Sequence, residues 1–154
     1  MHMNGFFQNA YVTRNLDKAI DDLRDKHGVD GQIMEIPFAA NVITPRASGP
    51  VTAKVALVWV GDVQIELIEP TSGLCQIYSN ALPDDDSMAF HHVGMRVSDM
   101  AALRSEAKAK GWTIAFQGGG EGFQFTYIDA RDTLGHYLEY IELRQEMWEA
   151  TGGR

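Results

Sequence analysis

The chain has 154 residues, 45% of them hydrophobic and 22% charged, with a formal net charge of −8; these are values of one soluble globular domain, and the acidic surplus argues against a nucleic-acid or anionic-membrane partner, because both demand basic surface. No apolar run approaches the ~18 residues needed to span a bilayer, and the opening stretch MHMNGFFQN lacks the apolar core of a signal peptide, so a cytoplasmic protein is expected. Cys75 is the single cysteine, which leaves no internal disulfide and no thiolate metal cluster.

In chain order, a short strand ends near Asn15, a helix-capping residue. Leu16, Ile20 and Leu23 follow at helical spacing, and Gly28 suits a left-handed helix end. Three strand-like runs come next: GQIMEIPF (31–38), TAKVALVWV (52–60) and DVQIELIE (62–69), rich in β-branched and aromatic residues. Between the first two lies AANVITPRASGP (39–50), long enough for a lid over a site or simply a mobile loop; its Arg46 reads as a solvated loop residue. Residues 70–88 form a turn-rich linker with an acidic knot at Asp84–Asp86, and Cys75 within it is expected to be inert.

The pattern then repeats. AFHHVGMRV (89–97) is a strand, Asp99 caps a helix with apolar Met100, Leu103 and Ala107, and Gly111 ends it. WTIAFQ (112–117), FQFTYIDA (123–130) and HYLEYIEL (136–143) are strands. QGGGEG (117–122) lacks the Lys-Ser/Thr of a phosphate loop and reads as a flexible hairpin loop. A short terminal helix is expected after Leu143, packing Met147 and Trp148. Residues 1–154 thus read as a single α+β domain of two tandem β-α-β-β-β modules, about 5–70 and 89–143, joined by linker 70–88.

Aligning the modules on Asn15 and Asp99 matches Gln8 with His92, each seven residues upstream of its cap, and Phe7 with His91. Aligning the last strands matches Glu66 with Glu139, and Glu69 with Glu142. Strand alternation puts Val93, Met95 and Val97 on the face that meets the helix and His92 on the other. By the same parity Glu66 points away from Ile65 and Leu67, and Glu139 away from Leu138 and Tyr140. Gln8, Glu66, His92 and Glu139 therefore share the non-helical faces of their strands and make a hard N/O ligand set suited to Zn²⁺, Ni²⁺, Co²⁺, Fe²⁺ or Mn²⁺. Taken singly, each is as readily a solvent-facing glutamate or a satisfied half-buried histidine; the matched positions of both pairs single them out. His91 is expected on the packing face, as a structural residue or one that supports a ligand. Phe123, Phe125 and Tyr127 either line a pocket or fill the core, and His136 reads as structural or rim-lining.

The stretches QNAYVTRNLDKAI, VQIELIEP, HHVGMRVSDM and GHYLEYIEL resemble the vicinal oxygen chelate superfamily, which includes glyoxalase I, methylmalonyl-CoA epimerase, extradiol dioxygenases and the bleomycin- and fosfomycin-resistance proteins. The first departs from the superfamily's commonest form, which has histidine where Gln8 stands, although one branch of glyoxalase I also has glutamine there. The resemblance implies an eight-stranded, incompletely closed mixed β-barrel with flanking helices. It further implies a divalent metal held by Gln8, Glu66, His92 and Glu139, a small-molecule substrate and a homodimer. The implied activity is that of a metal-dependent isomerase or lyase of the glyoxalase type, in which a metal steadies oxyanion charge as a C–H proton leaves. Glu139 is then the candidate base and Glu66 its counterpart. An acyl-CoA epimerase and a non-catalytic drug-binding protein are the alternatives; an extradiol dioxygenase fits less well, because its two-histidine, one-carboxylate iron site finds only one aligned histidine here. Val12, Pro70 and Met88 stand where glutathione-dependent glyoxalases place glutathione-clasping arginines and an asparagine. Glutathione is therefore not expected as co-substrate, and a more apolar cleft is.

Overall fold

The computed structural model describes residues 3–154. The first module holds β1 (Phe6–Val12), α1 (Leu16–Asp25), β2 (Met34–Ile43), β3 (Ser48–Val60) and β4 (Val63–Gly73). A short helix, α2 (Gln76–Ser79), lies in the linker. The second module holds β5 (Ala89–Arg96), α3 (Met100–Ala109), β6 (Ile114–Gly120), β7 (Phe123–Ala130) and β8 (His136–Leu143), and α4 (Gln145–Ala150) follows. Both helix starts use the caps expected from sequence: Asn15 Oδ1 accepts from the Lys18 amide at 3.0 Å and Asp99 Oδ1 from the Ala102 amide at 2.9 Å. Gly28 and Gly111 adopt φ of 65° and 70°, the left-handed conformation that glycine tolerates without strain.

The strands form a ring in the order β1-β4-β3-β2-β6-β7-β8-β5. The two modules have the same internal order. Only β1–β4 and β5–β8 are parallel pairs; the modules meet at the antiparallel β1–β5 and β2–β6 seams. Alternation sorts the side chains as expected. Leu16, Ile20 and Leu23 of α1 pack on Ala56, Val58 and Leu67, and Met100, Leu103 and Ala107 of α3 pack on Val93, Met95, Leu138 and Tyr140. The opposite strand faces line the barrel interior.

Three local expectations change. The 39–50 excursion is not a lid: β2 and β3 extend through it and pair continuously from Met34↔Leu57 to Ile43↔Ser48, leaving a turn at 44–47 with Arg46 exposed. QGGGEG is not a loop either, because Gly118 and Gly119 lie inside β6. A Cβ on Gly118 would collide with the Asn41 carbonyl and one on Gly119 with the Phe123 carbonyl, so the glycines let three strands approach where side chains would not fit. The gap expected in the ring is absent: three β2–β6 pairs, Asn41↔Gly119, Val42↔Gly118 and Ile43↔Gln117, close the barrel.

Candidate metal centre

Two β-bulges build the site. Along the β1–β5 seam the pairing steps from Phe6↔Met95 to Gln8↔Gly94, leaving Phe7 as an extra residue in β1. It steps again from Ala10↔His92 to Tyr11↔Phe90, leaving His91 as an extra residue in β5. The two insertions occupy equivalent module positions. A bulge breaks simple alternation and re-aims a side chain, so His91 and Phe7 do not face the helices. Phe7 lines the central cavity, and the His91 ring stacks on Tyr137 with centroids 5.0 Å apart. This corrects the packing-face expectation for His91 while retaining its supporting role.

Gln8, His92, Glu66 and Glu139 lie on β1, β5, β4 and β8, four consecutive staves of the ring. His92 is fully buried. Its Nε2 lies 3.0 Å from Glu139 Oε2 and 3.4 Å from Glu66 Oε2. One ligand atom from each of these three residues falls within 4.8 Å of the others, a spacing that one metal ion can bridge. Gln8 is buried and lines the same cavity as Glu66 and Glu139; its Nε2 donates to Gln64 Oε1 at 2.8 Å. That bond leaves Gln8 Oε1 without a partner, and Glu66 Oε2 has only a long contact, 3.4 Å from His92 Nε2. A buried acceptor without a donor is costly, and a divalent cation is a partner that suits the Gln8 oxygen and the Glu66 carboxylate together. Gly94 makes room for the amide: a Cβ there would come within 2.6 Å of Gln8 Oε1. The donor set thus fits the ion implied by the sequence: Glu66, His92 and Glu139 cluster, and Gln8 lines the same cavity with a free buried oxygen.

Electrostatics in the metal-free site follow from burial and proximity. Burial pushes the His92 imidazolium down, but hydrogen bonds to Glu139 and Glu66 outweigh it and raise its pKa to about 9. Burial raises the Glu66 carboxyl, against the pull of its hydrogen bond to His92, and the Glu139 charge raises it further. Burial, and then the His92 charge, lower His91 to about 3. His91 is therefore neutral, and its bonds fix its tautomer. Nε2 lies 2.8 Å from the Ile77 carbonyl, which can only accept, so Nε2 carries the proton. Nδ1 is then an acceptor and takes the Nδ1–H of His92 at 2.9 Å. His92 is left presenting Nε2 to the two glutamates.

Glu69 and Glu142, the other matched acidic pair, do different work. Glu69 Oε1 accepts from the Leu16 amide at 2.9 Å and Glu142 Oε2 from the Met100 amide at 2.7 Å. Each carboxylate satisfies the first turn of its module's helix. Sequence reasoning missed Tyr78 and Gln64. Tyr78 comes from α2, and its hydroxyl meets that of Tyr127 at 2.8 Å in the barrel interior. Gln64 shares strand parity with Glu66, which was the available signal. Phe123, Phe125 and Tyr127 all line the cavity, as does Met147 of α4, whose Trp148 packs edge-on to Phe7 and Trp59. His136 bonds the Tyr137 carbonyl through Nδ1 and lies outside the cavity lining.

A family model of the glyoxalase/bleomycin resistance protein/dioxygenase superfamily matches residues 7–128. The chain belongs to this superfamily. Comparison with curated proteins returns no match. Among solved structures, methylmalonyl-CoA epimerase from Mycobacterium tuberculosis superposes with a TM-score of 0.64 at 18% identity, over 94% of this chain and 91% of the epimerase. A Streptomyces coelicolor methylmalonyl-CoA epimerase variant, in complex with 2-nitronate-propionyl-CoA, gives 0.60 at 14% identity over 90% and 96%. A hypothetical protein from Bacillus halodurans gives 0.60 at 17% over 91% and 94%. At these identities the likeness extends to the fold of this superfamily, the paired-module barrel. Among the described residues, no helix of this superfamily member is long and apolar enough to cross a membrane.

Proposed function

We propose that this superfamily member is a metal-dependent isomerase or lyase of the glyoxalase type, holding its ion with Gln8, Glu66, His92 and Glu139. The observation that carries the reading is the convergence of Glu66, His92 and Glu139 within 4.8 Å, with the buried, partnerless Oε1 of Gln8 on the strand between those of Glu66 and His92. When bound, the metal supplies Lewis-acid polarisation of a substrate carbonyl, which acidifies the adjacent C–H bond. Glu139 takes that proton and the surrounding rings exclude water. His91 holds His92 in one tautomer, and Gln64 holds the Gln8 amide. If Glu139 returns the proton to a neighbouring atom, the product is an isomer.

A second reading, epimerisation, is favoured by the placement of Glu66 and Glu139 on separate modules, on opposite sides of Gln8 and His92. There Glu66 enters protonated and gives its proton to the carbon that loses one to Glu139, inverting the centre. Glutathione is not the co-substrate in either reading. Among the described residues lining the cavity there is no lysine or arginine, and Val12 is wholly buried. A cytoplasmic homodimer is part of the proposal, checked by sedimentation of the purified protein. Solvent-deuterium exchange into a panel of 2-oxoaldehydes, hydroxy ketones and acyl-CoA esters, using metal-loaded protein, tests the activity. Exchange that needs both metal and Glu139 is expected; no exchange into any member rejects it.

A further inference from the structure

The cavity carries information about the substrate beyond its chelating head. Its volume is about 330 Å³, at the small end of ligand sites. The walls away from the ligand residues are rings and aliphatic chains, chiefly Phe7, Phe38, Phe123, Phe125, Leu57 and Ile141. Glu66 and Glu139 are its only charged lining residues among those described, and a divalent ion would neutralise them. A second anionic group on a substrate would lie against these walls with no cation to meet it, which is strongly unfavourable.

One neutral donor remains. The Tyr78 and Tyr127 hydroxyls bring two protons to a pair that uses one of them between the two oxygens, 2.8 Å apart. No acceptor other than its partner bonds either hydroxyl among the described residues. Burial keeps both phenols protonated, and both line the cavity. Tyr127 is the cross-strand neighbour of Glu139 and its ring is edge-on to His92 with centroids 4.9 Å apart. The ring that carries one of the two hydroxyls is therefore beside the ligand cluster.

We infer that the substrate is an uncharged molecule with an apolar, ring-sized body, and that the Tyr78–Tyr127 pair gives one of its oxygens a hydrogen bond. This rests on the proposed use of the cavity as the substrate site. It separates the chain's substrate from malonyl-type acyl-CoA esters, whose free acyl carboxylate would lie inside the cavity.

The test compares the para-methyl and para-carboxylate forms of an α-hydroxyacetophenone, which share one chelating head and differ in the charge of the body. Calorimetric titration is run with protein loaded with Zn²⁺ and again without metal. The para-methyl probe should bind the loaded protein at least about tenfold more tightly, because the buried charge has no partner. The double variant Tyr78→Phe/Tyr127→Phe should lose about tenfold in affinity for it, the worth of one buried hydrogen bond. Each single variant keeps one hydroxyl and should lose less. Retained Zn²⁺ affinity and an unchanged melting temperature show that the double variant is folded. Equal or tighter binding of the para-carboxylate, unchanged binding by the folded double variant, or no binding of either probe overturns the inference. Selective binding without deuterium exchange would reject the proposed function and leave this inference standing. Exchange together with carboxylate preference would do the reverse.

Discussion

His91→Phe isolates the role of a residue that does not touch the metal position. Phenylalanine keeps a ring between Tyr78 and Tyr137, whose centroids lie 5.3 and 5.0 Å from that of His91. It removes the acceptor that takes the His92 Nδ1–H at 2.9 Å and the donor that meets the Ile77 carbonyl at 2.8 Å. His92 Nδ1 is then buried without a partner, and nothing holds its ring in the tautomer that offers Nε2 to an ion. Removing such supporting hydrogen bonds lowers metal affinity by roughly 10–100-fold, about 1.4–2.7 kcal/mol. The assay is Zn²⁺ titration against a competing chelator, beside thermal melts of the metal-free protein. His91→Gln, which restores a neutral acceptor, should recover part of the affinity. A His91→Phe protein that melts normally and binds Zn²⁺ as tightly as the unaltered chain would refute the hydrogen-bond relay.

Gly94→Ala places a Cβ against Gln8 Oε1 and should destabilise the fold by about 1–3 kcal/mol while weakening metal binding; denaturant melts and metal titration read the two effects separately. Metal-free protein should be most stable at or below pH 6.5, because the folded pKa of His92, about 9, lies above its ordinary value of 6.5. That contribution is fully present below the ordinary value, is lost as pH rises through 9, and amounts to about 3 kcal/mol; urea midpoints that do not fall over this interval would contradict it. Glu142→Ala removes the acceptor of the Met100 amide and should cost about 1 kcal/mol of stability with metal affinity unchanged, which separates it from Glu139 three residues earlier.

Much of the site was legible because it depends on two periodicities and a repeat. Strand parity placed Glu66 and Glu139 opposite the helix faces, and the caps Asn15 and Asp99 aligned Gln8 with His92. The same alignment paired Phe7 with His91 but misread their direction. A bulge is set by how the ring of strands closes, so strict alternation could not reveal it. The 39–50 hairpin was hidden because its Gly and Pro residues resemble loop composition, although they sit in a continuous ladder. Tyr78 was invisible for another reason: a one-turn helix in a turn-rich linker carries no periodic signal, and its entry into the barrel is decided by tertiary packing.

The central claim is that Gln8, Glu66, His92 and Glu139 hold one divalent ion. Calorimetric titration of Zn²⁺ into metal-free protein, with His92→Ala and Glu139→Ala in parallel, tests it most directly. The account predicts about one ion per chain, binding abolished by His92→Ala and weakened by Glu139→Ala. No binding by the unaltered chain, or equal binding by all three proteins, would contradict it.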